Sequence, residues 1–215
     1  MKPLGKADFP FSLKEAAVLS RLPEEKLRRE VERAVIEPEA VVVGSAHRLR
    51  FGEPDILYFA MLHSLAGTAE LSPSTRAKAY RLLTASRPRA WARLHKDAKA
   101  RSAWVNRVNR EWSKSVNALF AMNWEALIEE VGSRIHRYRE GLARIGEDDA
   151  ILGGEPVFNG TRLAVRHIGG MCARGEPPEQ ILADYPELTA DDVEFARLYT
   201  AARPLVGRRK AGAAA

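Results

Sequence analysis

Three basic residues, Lys26, Arg29 and Arg33, fall at i, i+3 and i+7, so a helix through them presents all three on one face. Such a face pairs with phosphate or hydrogen-bonds the edge of guanine. Leu27, Val31 and Val35 repeat every fourth residue on another face, the stripe that a buried side requires. Glu24, Arg28 and Glu32 form a third row that supports the helix, which leaves Arg28 outside the contact set. Two further cations, Arg48 and Arg50, alternate along a segment that reads as a strand and so share one strand face. A larger store of positive charge follows, because Ser74 to Lys114 holds twelve Lys or Arg against two acids, a local net of +10 in a chain of net +6. The positive field is local, and a bound polyanion such as nucleic acid accounts for it; the same charges also suit a solvated helical face.

Catalytic chemistry has no comparable pattern. The five histidines (47, 63, 95, 136 and 167) are scattered without H-x-x-x-H or H-E-x-x-H spacing, and Gly153-Gly154 and Gly169-Gly170 lack the spacing and the lysine of a phosphate loop. Cys172, alone in the chain, reads as a small hydrophobe. Glu147, Asp148 and Asp149 have the chemistry to hold Mg²⁺, but consecutive acids before a boundary also make a solvated linker. The expectation is a binding protein with no catalytic residue, no metal and no cofactor.

The elements that must position these residues are mainly helical. Ser12 caps a short helix carrying Leu13, Ala16, Ala17 and Leu19, Arg21-Leu22 makes a tight turn, and Pro23 opens the helix of Lys26, Arg29 and Arg33. Segments 41–43 and 48–51 read as two short strands around a loop, a small wing. The middle of the chain is helix-rich and basic, with a short strand expected over 115–122. Beyond Asn123, an N-cap, the residues Trp124, Ile128, Val131, Ile135, Tyr138, Leu142 and Ile145 are spaced alternately by four and three, a heptad seam. That seam suits a dimer helix or a helix packed on its own domain. Gly146 and the three acids then end the helix and begin a hinge. Val157-Phe158, Asn159-Gly160 and Thr161 to Val165 make a hairpin with a type I′ turn, and three helices follow it. Gly169-Gly170 inside the first of them predicts a close backbone approach, since glycine in a helix costs about 1 kcal/mol relative to alanine.

The expected fold class is mainly α: an N-terminal winged helix-turn-helix over 1–72, a basic helical linker and dimerisation helix over 73–149, a hairpin plus three-helix homeodomain-like unit over 150–204, and a flexible basic tail over 205–215. The longest uncharged apolar stretch, Ile56 to Ala69, is too short to span a bilayer, no secretory signal opens the chain, and the cytoplasm is the expected compartment.

The run from Leu152 to Val165 (LGGEPVFNGTRLAV), followed by Gly175, Pro178-Glu179, Asp184-Tyr185-Pro186 and Leu188-Thr189, resembles a small bacterial family labelled as a domain of unknown function, with the pattern G-x-P-x-(I/F)-x-G-T-R-(I/L)-x-V and then D-Y-P-x-L-T. The resemblance covers about 55 residues. Ala164 stands where proline is frequent, and Gly169-Gly170 where helix formers are usual. Members of that family are similar to VapB-type antitoxins, and the resemblance implies a homeodomain-like fold, a hairpin that pairs between subunits, and a partner that is a PIN-like ribonuclease toxin. The segment Phe11 to Ala17 with Arg50-Phe51 is similar, more weakly, to MerR-like and excisionase-like winged helices.

Together these readings describe an antitoxin that inhibits a VapC-type toxin and represses its own operon; a winged-helix transcription regulator without a toxin partner is the alternative. Lys26, Arg29, Arg33, Arg48 and Arg50 are the expected contacts to operator DNA. Trp124, Ile128, Val131, Ile135, Tyr138 and Leu142 are the expected homodimer seam. By the same resemblance Arg203, Arg208 and Arg209 are the expected toxin contacts, in a tail that is otherwise a solvated chain end.

Overall fold

The computed structural model describes residues 2–3, 11–36, 38–43, 46–85, 94–115, 122–149 and 152–204. Strand β2 (Phe11–Ser12) leads into helix α1 (Leu13–Ser20), whose start is set by a reciprocal cap: Glu15 N–H donates to Ser12 Oγ at 3.3 Å and Ser12 N–H donates to Glu15 Oε2 at 2.8 Å. Arg21 stops α1 in the left-handed region with φ 60°. Helix α2 (Glu24–Glu32) follows Pro23 and buries Leu27, with Val31 half-buried on the same side. Strands β3 (Glu39–Val43) and β4 (Ala46–Phe51) pair antiparallel, Val41 opposite Arg48, and β2 lies on the other edge of β4 with Phe11 opposite Phe51. Phe11 and Phe51 face the core, so the alternation turns Arg48 and Arg50 outward.

Helix α3 (Glu53–Leu65) buries six consecutive residues, Ile56 to Met61, because it is covered by α1, by α4 (Pro73–Ala85) and by α6 (Trp124–Ala143). Helix α5 (Ala98–Ser115) turns Trp104, Val108 and Trp112 inward, and both tryptophans meet the ring of Trp124 edge-on, at centroid distances of 6.0 and 5.0 Å. Ser115 closes α5, and the strand expected over 115–122 otherwise falls almost wholly outside the described residues.

The expected seam is consumed inside the subunit. Trp124, Ile128, Val131, Ile135 and Tyr138 are each at most 3% exposed within one chain, and Leu142 packs against the same core, because α1, α3, α5 and α9 (Ala190–Ala202) surround α6. A 3–4 spacing reports only that a helix has one apolar stripe, and here other helices of the same chain cover it. The helix stops at Ala143. Ile145 lies in strand β5 (Ile145–Glu147), which pairs antiparallel with β6 (Val157–Phe158) and with β1 (Lys2–Pro3), so Gly146 and Glu147 of the expected hinge belong to a paired strand, and Asp148 and Asp149 follow it.

The Asn159-Gly160 turn forms, with Thr161 N–H donating to Phe158 O at 3.0 Å, but only Gly160 has positive φ (81°). That is the requirement of a type II turn, not of type I′. β6 faces β5 on one side and bridges Ala164 on the other, so both of its own edges have neighbours within the chain. Helices α7 (Val165–Ala173), α8 (Pro178–Asp184) and α9 complete the chain's described part, and α9 starts at a Thr189–Asp192 capping box. The core does not divide before this unit: Phe195 of α9 meets Tyr138 of α6 with centroids 5.9 Å apart. The molecule is therefore mainly helical with two small antiparallel sheets. Among the described residues no helix is long and apolar enough to cross a membrane.

Candidate nucleic-acid interface

Lys26, Arg29 and Arg33 are all exposed on α2, Arg33 at its C-cap. Arg29 pairs with Glu25 one turn earlier, and Arg28 pairs with Glu24 at 2.6 Å in the supporting row. Exposed pairs of this kind contribute about 0–1 kcal/mol, so releasing Arg29 from Glu25 costs little. Arg48 is exposed and Arg50 half-buried on the outward face of β4, where Arg50 sits between Ser12 on one neighbour and Glu39 on the other. The five residues thus lie on α2 and β4 of one helix-helix-sheet unit, with β3 between them.

Under α2 lies a group that no local pattern announced. Glu30 is 3% exposed, accepts from Tyr58 Oη at 2.7 Å and pairs with Arg76 at 2.6 Å. Burial and the Glu30 carboxylate together push the Tyr58 phenol well above its ordinary value, so it stays a donor to Glu30. Arg76 also donates to Leu71 O at 2.9 Å, which fixes the α3–α4 connection to the back of α2. The first of the twelve cations in the basic block is therefore structural.

The fold sorts the rest. Arg101 donates to the carbonyls of Leu94 (3.2 Å) and His95 (2.6 Å), and Lys96 contacts His136 Nε2 at 2.7 Å. Lys78 and Arg81 are exposed on α4, and Lys99, Arg107, Arg110 and Lys114 are exposed on α5 opposite its buried tryptophans. Lys114 has Glu111 at 3.6 Å, whereas Lys99, Arg107 and Arg110 have no carboxylate within ion-pair distance among the described residues. Asn106 and Asn109 stand exposed among them. Arg87, Arg89 and Arg93 lie outside the described residues.

Arg203 is not a tail residue. Its guanidinium pairs with Glu15 at 2.8 Å and lies over the Tyr199 ring at 5.1 Å, and Tyr138 Oη donates to the same Glu15 oxygen at 2.8 Å. Glu15 is buried, so an arginine at the end of α9 holds α1, while about a third of the Arg203 side chain stays exposed. Arg208 and Arg209 lie outside the described residues. Among the described residues no cluster of three or more His, Cys, Asp or Glu could hold a metal ion.

Comparison with known proteins supports the C-terminal resemblance. Residues 145–200 match the family model described as "Protein of unknown function (DUF433)". The chain is 27% identical over 199 residues to the uncharacterized protein y4eO of Sinorhizobium fredii, covering 91% of this chain and 82% of that protein. The crystal structure of Rv2018 from Mycobacterium tuberculosis aligns over 88% of this chain and 98% of its own, at 18% identity and a TM-score of 0.36.

Proposed function

We propose that the protein binds duplex DNA as a winged helix-turn-helix, with α2 in the major groove and the β3–β4 hairpin as the wing. The observation that carries this reading is the order helix, turn, helix, paired strands, in which Lys26, Arg29 and Arg33 on α2 and Arg48 and Arg50 on β4 all turn away from the core. The exposed cations Lys99, Arg107 and Arg110 of α5 supply backbone contacts on this reading, since Lys99 to Arg110 spans about 16 Å at 1.5 Å per residue and so reaches successive phosphates. The protein then represses its own operon in the cytoplasm, and a two-fold dimer on a palindromic operator would have to use a face other than the α6 seam.

The test is equilibrium binding to the DNA upstream of its own reading frame and to a random duplex. Arg29→Ala with Arg33→Ala lowers operator affinity at least about tenfold and more than it lowers binding to the random duplex. Lys99→Gln, Arg107→Gln and Arg110→Gln together weaken both duplexes equally and reduce the slope of log K against log salt by about 2.7, or 0.9 per lost phosphate contact. A double variant that binds as the wild type removes α2 as the reading element.

A second reading, the VapB-type antitoxin, is favoured by the resemblance that runs from Leu152 to Thr189 and by the homeodomain-like helical unit it implies. With Arg203 engaged by Glu15, the toxin contact falls to Arg208 and Arg209 or to the exposed surface of the unit from Gly154 to Arg203. Expression from the native gene neighbourhood then yields a stable complex with a small acidic ribonuclease, and removing the residues after Pro204 frees its activity without loss of DNA binding. A truncated protein that still neutralises the toxin shifts the contact to the hairpin-bearing unit.

A further inference from the structure

We propose that the cleft between α2 and the α3–α4 connection binds a small amphiphilic anion, a carboxylate or phosphate monoester on an apolar body, in competition with DNA. The cleft encloses about 560 Å³, within the range of roughly 300–1,000 Å³ typical of small-molecule sites. Leu62, Leu65 and Leu71 form its apolar wall, and Lys26, Arg29 and Arg33 lie along its edge. Two features set the sign of the ligand. Glu30 at its base has its charge met by Arg76 and Tyr58, so it does not repel an anion. Among the described residues, Lys26 and Arg33 have no carboxylate within ion-pair distance, and the acid at the mouth, Glu70, is 93% exposed and screened by water. A wall of leucine beneath two exposed cations selects a molecule with an apolar body and an anionic head, and rejects both a bare inorganic anion and an uncharged hydrocarbon.

The regulatory consequence rests on the DNA-binding reading above. The head group would occupy Lys26, Arg29 and Arg33, the cations assigned to DNA phosphates and bases, so ligand and duplex weaken each other by the same factor. Sodium decanoate, below its micellar concentration, is the probe. Calorimetric titration of the full chain without DNA shows one site. Lys26→Gln with Arg33→Gln, at exposed positions that leave the core intact, lowers its affinity at least about tenfold. Leu62→Trp, half-buried at the wall and absent from the DNA contacts, fills the cleft and abolishes binding while circular dichroism and duplex affinity stay as in the wild type. Saturating decanoate raises the Kd for duplex about tenfold in the wild type and leaves it unchanged in Leu62→Trp. Duplex binding without decanoate binding, or decanoate binding that both variants retain, overturns the site and leaves the DNA reading standing. Decanoate binding lost in both variants, in a protein that binds no duplex, keeps the site and removes the DNA reading together with the competition.

Discussion

Replacing Glu15 by alanine lowers the stability of the whole chain by about 2–4 kcal/mol, read as a shift in denaturant midpoint with an unchanged slope. The carboxylate is 6% exposed and satisfies three donors from three parts of the chain: Ser12 N–H at the start of α1, Tyr138 Oη on α6 and Arg203 after α9. Its loss strands a phenol that is fully buried and a guanidinium that keeps about a third of its surface in water, 35% by side chain, which is why the expected cost falls short of that of a fully buried pair. Glu15→Gln keeps an acceptor oxygen and loses the charge, so it costs less than the alanine variant. The network also sets an acid limit. Burial pushes the Glu15 carboxyl up, but Arg203, the Ser12 N–H and Tyr138 together outweigh it and hold the group below its ordinary value of 4.5. The folded value is the lower one, so this contribution is complete above pH 4.5 and disappears as pH falls through the folded value. Glu15→Gln therefore flattens the acid limb of stability against pH. An acid limb that keeps its wild-type steepness in that variant would place the acid sensitivity elsewhere.

Alanine at two adjacent glycines has opposite effects. A Cβ on Gly169 would stand 2.0 Å from Thr200 Oγ1 and 2.5 Å from the carbonyl oxygen of Ala196, and the second of these is backbone of α9 that moves only if the helix moves. Gly169→Ala forces α7 and α9 apart and costs about 2–3 kcal/mol, the overpacking term less the helix-propensity gain. A Cβ on Gly170 meets nothing nearer than Arg174 Nη1 at 3.5 Å, the far end of a flexible side chain. Gly170→Ala accordingly stabilises the chain by up to about 1 kcal/mol, because a half-buried helical glycine with room for a Cβ gives up backbone entropy that alanine does not. Thermal melts of the two variants should move in opposite directions from the wild type. Equal shifts would mean that α7 and α9 do not approach at Gly169.

The same pair marks how far sequence reasoning reaches. A double glycine inside a helical pattern announces a close approach, but which of the two is pressed depends on which turns toward α9, and that is a property of packing. Gly160 shows the complementary case. Asn-Gly between two apolar runs predicts a turn with a left-handed residue, and the turn is there, yet only Gly160 and not Asn159 takes the left-handed region, so the turn is type II and not the expected type I′. The Trp124 to Leu142 stripe was legible as buried, and its partner was not, since any apolar surface satisfies an apolar stripe.

What the sequence by itself determined are the features whose cause lies within a few residues: the capping boxes at Ser12 and Thr189, the turn at Arg21, the outward row of Lys26, Arg29 and Arg33, the strand alternation of Arg48 and Arg50, and the motif from Gly154 to Val165 that matches a family model. These rest on hydrogen bonds from residue i to i+3 and on periods of 3.6 and 2, which the local chain sets before any tertiary contact forms. Only the tertiary structure decided which charges are structural and which stay exposed. Glu30 and Arg76 are 46 residues apart, and Glu15 and Arg203 are 188 apart. Each pair meets because helices that bury their apolar faces bring the buried carboxylate and its arginine together, and a charge removed from water must find its counter-charge wherever the fold supplies one.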